Sequence, residues 1–204
     1  MAEGSKDNSN YQLKAVIDIG SASIRMVIAQ IHDDGTFQTL DSLNQSVAIG
    51  SDTFTRGRIS RATIEECVKV LRNFSAVLGE FNINLRTDVR AVATSAVREA
   101  RNRDEFLDRV YMATDINVEV IEGAEVNRLT FLGIRPVLQT NAALRQGSLL
   151  VAEVGGGSTE FLGLVDGRVA FAHTYRMGAY RLRETMDAQQ GSAARRRELL
   201  EMVV

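Results

Sequence analysis

One cysteine, one proline and no tryptophan occur in this chain of 204 residues. A lone thiol excludes an internal disulfide and a thiolate zinc site. Cys67 falls at helical spacing with Leu71 and Phe74, which predicts a buried, unreactive thiol. Long apolar runs are also missing. No stretch approaches the ~18 residues that a membrane span needs, and the opening MAEGSKDNSN lacks the apolar centre of a signal peptide. Charge of one sign is missing as well: 24 Lys and Arg stand against 26 Asp and Glu, a net charge of -2. No global basic field therefore draws the chain to nucleic acid or membrane, and a polyanion site has to be locally positive. Only two histidines are present. His32 and His173 lie far apart in strand or turn positions without a paired acid, so structural roles are expected. What remains is 45% hydrophobic and 25% charged, the make-up of a globular protein of one domain or two small lobes, and a cytoplasmic one fits.

Residues 1 to 10 carry no pattern, and a disordered tail is expected over 1–12. Ala15 to Ile19 then reads as a buried strand running into Gly20. Ile24 to Ile31 reads as a second strand, Asp33-Asp34-Gly35 as a hairpin turn and Thr36 to Leu43 as a third strand. Such a meander argues against the βαβ unit of dinucleotide folds. A helix is predicted over 61–79, with Ile64, Cys67, Val68, Leu71 and Phe74 on one face and Gly79 at its end. Val89 to Ala93 is a short strand, a helix runs on to Thr114, Val118 to Ile121 is another strand, and Glu125 to Leu132 opens a further helix before Pro136. Gln139 to Gln146 reads as a linker.

The opening then repeats. Leu149 to Val154 is expected as a buried strand entering Gly155-Gly156-Gly157, Phe161 to Val165 as the next strand, Asp166-Gly167 as a turn and Val169 to His173 as a third strand. In both copies an acid, Asp18 or Glu153, precedes the first glycine by two. This duplication implies two similar lobes, one over 13–134 and the start of another over 135–204. The second copy is followed only by a helix-like stretch, Ala193 to Val204. A second lobe cut short is expected, and with it no turnover from the chain alone. Arg195-Arg196-Arg197 reads as a solvated helix face.

The loops suit phosphate. Glycine permits positive φ, so that several N–H groups can converge on one anion, and it lets the anion come close. Hydroxyls at Ser21, Ser23, Ser158 and Thr159 add neutral donors. A carboxylate beside a phosphate grip makes sense through a metal ion or through water, which points to Mg²⁺ held by Asp18 and Glu153. Three successive glycines, Gly155, Gly156 and Gly157, carry an entropic cost that a plain hairpin turn does not need.

Val16 to Ser21 and Val154 to Glu160 resemble the two phosphate motifs of the actin-like (ribonuclease-H-like) ASKHA superfold. Ala93-Thr94-Ser95-Ala96-Val97-Arg98-Glu99-Ala100-Arg101-Asn102, Ile121 to Glu125, and Arg176-Met177-Gly178-Ala179 narrow the resemblance to the Ppx/GppA family of exopolyphosphatases and guanosine pentaphosphate phosphohydrolases. The resemblance implies an α/β fold of two lobes with mixed five-stranded sheets around a cleft. It implies Mg²⁺-dependent hydrolysis of terminal phosphoanhydride bonds, in polyphosphate or guanosine penta- or tetraphosphate, and a homodimer as the assembly to look for in a longer protein. It places Gly20, Ser21, Ser23, Ser95, Arg98, Asn102, Gly155, Gly156, Gly157, Ser158 and Thr159 around substrate. For Arg98 the physics agrees, because a guanidinium fork at a helix start suits phosphate.

Two positions depart from that pattern. Glu153 stands where the family usually has aspartate, and its extra methylene moves the carboxylate by more than an ångström. Val126 stands where the second of two adjacent glutamates would activate water, and valine accepts no proton. Glu125 points about 100° away around the helix. Hydrolysis by Glu125, Glu153 and Glu160 is thus one reading. A catalytically weakened polyphosphate or (p)ppGpp sensor is a second, and an ATP-using kinase of the same superfold, for which no adenosine motif is visible, is a third.

Overall fold

The computed structural model describes residues 11–188. The tail before Tyr11, the helix-like stretch from Ala193 and the three arginines there lie outside the described residues.

Strands β1 (Tyr11–Ile19), β2 (Ser23–His32) and β3 (Phe37–Ser46) form the expected antiparallel meander. Tyr11 and Gln12, expected in the tail, belong to β1 and pair with His32 and Ile31. Alternation sets the faces: Ala15, Ile17 and Ile19 are buried, while Val16 between them is 50% exposed. Strands β4 (Val89–Ala93) and β5 (Val118–Val120) add in parallel, giving a mixed five-stranded sheet of order β3-β2-β1-β4-β5.

Helix α1 (Ile49–Arg56) was not anticipated. Its buried residues are Ile49, Gly50, Asp52 and Thr53, so it shows no apolar stripe to read. Helix α2 (Arg61–Glu80) begins where Ser60 accepts a hydrogen bond from the Thr63 N–H, and it buries Ile64, Cys67, Val68, Leu71, Phe74 and Leu78 against the sheet. Burial pushes the Cys67 thiol up to about 12, as an inert thiol requires. The predicted run from Thr94 to Thr114 divides into α3 (Ser95–Arg98) and α4 (Arg103–Thr114), and α4 closes the core with Phe106 and Val110.

Helix α5 (Gly123–Thr140) is continuous through Pro136. It packs on a second sheet, formed by β6 (Ser148–Val154), β7 (Thr159–Val165) and β8 (Arg168–Tyr175). Asn127 Nδ2 donates to Thr174 Oγ1 at 2.9 Å, and a Cβ on Gly123 would lie 2.9 Å from that same oxygen. The boundary expected after residue 134 therefore falls inside one helix. The seam precedes it, because α5 follows β5 in the chain but belongs by packing to the second sheet. The expected linker is instead the end of α5 and the short α6 (Ala142–Arg145).

The second sheet is antiparallel and has three strands among the described residues, where a mixed five-stranded one was expected. Its turn Asp166-Gly167 has φ of 49 and 74°, the left-handed pair that a two-residue hairpin uses. Strand β6 is not the buried strand its composition suggested: Leu150 and Val154 are 60% and 67% exposed. Helix α5 covers the other face of the sheet, where Val151 and Glu153 lie. Helix α7 (Ala179–Ala188) returns to α1, and Ser51 Oγ donates to Glu184 Oε2 at 2.7 Å.

Candidate phosphate-binding cleft

The two hairpins of the duplication share one register. Ile19 pairs with Ile24, and Val154 pairs with Thr159, so each hairpin turns through four residues. Each turn closes in the same way: the Gly20 N–H donates to Ser23 O at 3.0 Å, and the Gly155 N–H to Ser158 O at 2.9 Å.

The carbonyls of both turns are drawn backwards. In the first, Ser21 O accepts from the Gly50 N–H at 2.7 Å and Ala22 O from the Val47 N–H at 3.1 Å. In the second, Gly155 O accepts from the Ala179 N–H and Gly156 O from the Arg181 N–H, both at 2.9 Å, while Gly157 O accepts from Arg181 Nε at 2.7 Å. Peptide planes have two ends. Tying the oxygens to the starts of α1 and α7 leaves N–H groups as the polar ends available to the cleft, which is the polarity an anion needs.

Of the two properties expected of the glycines, positive φ and close approach, the first is not used. None of Gly20, Gly155, Gly156 and Gly157 has positive φ. They are there for close approach. A Cβ on Gly157 would fall 2.0 Å from Ser95 Oγ and 2.8 Å from Ser21 Oγ, and one on Gly156 would fall 3.3 Å from Ser21 Cβ. The second loop thus lies directly against Ser21, in the first turn, and Ser95, at the start of α3, whose hydroxyls are 3.4 Å apart. Between the loops runs a cleft of about 350 Å³, lined by Asp18, Gly20, Ser21, Ser23, Ser95, Val126, Glu153, the segment 155–158 and Glu160.

Three carboxylates share this cleft. Burial pushes the Asp18 carboxyl up; Arg25 pulls it back and the charge of Glu153 adds to the rise. Burial also raises Glu160, which is 3% exposed and accepts from Ser158 Oγ at 2.7 Å, with Glu153 adding to the rise. Glu153 itself is exposed. No cluster of three or more His, Cys, Asp or Glu poised for a metal occurs among the described residues. A cation here would find one or two carboxylates and complete its shell with phosphate oxygens and water, a donor set that suits Mg²⁺.

Four expected site residues lie elsewhere. Glu125 is held by Arg128 at 2.7 and 2.8 Å and by Arg90 at 3.5 Å, outside the cleft lining. The Arg128 hydrogen bond, with Arg90 beside it, pushes its carboxyl down to about 2, so it is a poor base. Asn102 accepts from the Ile59 N–H and donates to Ile59 O, both at 2.9 Å, and so braces the α1–α2 connection. Thr159 is buried and turns its hydroxyl to Met177 O. Arg98 Nη1 donates to Ile121 O at 2.6 Å. Its charge reaches Glu160, and its Nη1 braces the corner between β5 and α5.

The roles of three further residues come from the structure. Arg181 joins the Gly157 carbonyl to Glu99, with Nη2 2.6 Å from Oε1, and its guanidinium lies 3.9 Å over the Phe54 ring. Arg176 takes the other oxygen of Glu99 at 2.9 Å. Gly178 is obligatory, because a Cβ there would sit 2.2 Å from Gly156 O and 2.3 Å from Gly157 N. A glycine after the second hairpin was the visible signal for this last one; for Arg181 there was none.

The sequence profile of one family, the Ppx/GppA phosphatase family, matches residues 27–204. Exopolyphosphatase 1 of Mycobacterium leprae is 29% identical over 167 residues, which are 82% of this chain and 47% of that protein. Among solved structures, the Ppx/GppA family member of Aquifex aeolicus is 33% identical with a TM-score of 0.70, over 86% of this chain and 55% of the other. An exopolyphosphatase from Cytophaga hutchinsonii is 29% identical with a TM-score of 0.74, over 85% and 53%. The chain spans about half the length of the curated relatives it matches.

Proposed function

The chain belongs to the Ppx/GppA phosphatase family and has its actin-like α/β fold, and from that premise we propose that it grips the terminal phosphates of a phosphoanhydride chain for hydrolysis. Inorganic polyphosphate is the first candidate substrate, and guanosine pentaphosphate or tetraphosphate the second. The observation that carries this reading is the paired backbone geometry. Two turns facing one cleft both have their carbonyls tied behind them, which leaves their N–H groups for the cleft.

In this reading the hydroxyls of Ser21 and Ser95 donate to phosphate oxygens beside the loop N–H groups, and Ser158, whose hydroxyl hydrogen goes to Glu160, contributes its N–H. Asp18 and Glu153 hold Mg²⁺, which when bound neutralises charge on the phosphate. Glu160, buried under Glu153 on the neighbouring strand, keeps Ser158 turned toward it. Water activation falls to Glu153 or Glu160, since Val126 has no proton acceptor and Glu125 is committed to arginines. That same shortage favours a second reading, a polyphosphate or (p)ppGpp sensor that binds without cutting.

Phosphate release from polyphosphate and from guanosine pentaphosphate by the full-length protein in Mg²⁺, measured beside equilibrium binding of each, tests both. Release with binding is expected of the full-length protein, and no turnover of the present chain alone. Binding without release supports the sensor, and binding of neither overturns the phosphate reading.

A further inference from the structure

Glu153 is the exposed member of the three cleft carboxylates, and a glutamate in that position has several rotamers open to it. One contact removes that freedom. Thr130, on α5 one turn beyond Val126, places Oγ1 2.5 Å from Glu153 Oε2 and 3.0 Å from Val126 O. A threonine hydroxyl has a single hydrogen. Inside a helix it normally goes to the carbonyl four residues back. Here the carboxylate is both the nearer acceptor and the charged one, so the hydrogen goes to Glu153. Oε2 is then fixed against the helix and Oε1 is left for the cleft. Val126, beside this contact in the cleft wall, offers no competing donor and no repelling charge.

We propose that Thr130 is a positioning residue for the phosphate site: it fixes which oxygen of Glu153 meets the cation that accompanies a gripped phosphate. This rests on the reading of the cleft given above. The test is titration of Mn²⁺ into the chain, by calorimetry and electron paramagnetic resonance, with tripolyphosphate binding measured in a separate titration because the free ligand chelates Mn²⁺, for the unaltered protein, Thr130→Val, Thr130→Ser, Glu153→Gln and the Thr130→Val/Glu153→Gln pair. Thr130→Val should weaken Mn²⁺ binding about tenfold, the usual size for loss of a hydrogen bond to a metal ligand, with an unchanged Tm. Thr130→Ser should restore it. In the Glu153→Gln background Thr130→Val should cost nothing further. Mn²⁺ binding by Thr130→Val equal to that of the unaltered chain, failure of Thr130→Ser to rescue, or additivity with Glu153→Gln each overturns the role of Thr130 and leaves the phosphate reading standing. An unaltered chain that binds tripolyphosphate but no Mn²⁺ overturns the role of Thr130 and the cation site together; one that binds neither overturns the phosphate reading as well.

Discussion

In the first hairpin Asp18 faces Arg25 across the strands, and in the second Glu153 faces Glu160. The turns between these pairs have the same length, the same closing hydrogen bond and the same backward-drawn carbonyls. The duplication has thus kept a backbone device and inverted its electrostatics. One loop carries its own counter-charge, while the other pairs two carboxylates and draws on Arg98, outside the hairpin, for opposite charge. Side chains divide the loops as well. Ala22 occupies the first turn where Gly157 occupies the second, and only the second turn has to fit against the opposite sheet.

That asymmetry can be broken at the glycines behind the loops. Gly178→Ala drives a Cβ into backbone atoms at 2.2–2.3 Å, whereas at Gly50, behind the first loop, the nearest atom is the tip of Phe54 at 2.7 Å. Overpacking costs typically ~1–3 kcal/mol and more when backbone has to move. Denaturant unfolding should therefore place Gly178→Ala at about 3 kcal/mol or beyond and Gly50→Ala nearer 1 kcal/mol. Equal costs would mean that the loops are supported alike.

Next in size is Arg181→Ala. It removes a pair whose side chains are each 15% exposed, together with the bond to Gly157 O. Arg176 remains for Glu99, so the loss should be about 2 kcal/mol, below that of a fully orphaned buried charge. Tripolyphosphate binding should weaken with it, because the Gly157 carbonyl is freed to turn into the cleft.

The charge inversion itself predicts opposite signs. Burial lifts the Glu160 carboxyl above its ordinary 4.5, so the folded chain retains a proton that the unfolded chain releases, and stability falls as pH rises above that value. Glu160→Gln should raise Tm at pH 7 and leave it unchanged near pH 4. Arg25→Gln removes the counter-charge of Asp18, whose carboxyl then moves further up, and should lower stability at pH 7 by roughly 0.5 kcal/mol. Effects of the same sign would refute the inversion. Smallest of all is Glu125→Gln: phosphate binding and release should both be unaltered, and a loss of release alone would return Glu125 to the catalytic machinery.

The strands and α2 were legible because their signals are local. Alternation marks β1, Asp166-Gly167 marks a hairpin, and Ser60 with the stripe from Ile64 to Leu78 marks a helix. Much of the cleft was legible too, since repeated text brought Asp18, Gly20, Glu153 and Gly155 into equivalent places. The rest was not, because it depends on what lies opposite. Gly157 reads as a flexible residue until Ser95 is seen 2.0 Å from its missing Cβ. Asn102 and Thr159 carry donors fit for phosphate, but Ile59 and Met177 claim them. Arg98 follows a strand end as an anion site should, but that one of its N–H groups goes to Ile121 O depends on the corner opposite. Helix α1, with glycine, serine and threonine in its eight residues, is held by tertiary contacts rather than by propensity.

Helices α1 and α7, which hold the loop carbonyls, also hold each other through Ser51 and Glu184. The two halves are thus fastened twice, at the loops, where Gly157 lies against Ser21 and Ser95, and at this outer joint, like a door hung on two hinges. A substitution at Ser51 or Glu184, with no atom in the cleft, removes one fastening and leaves the other.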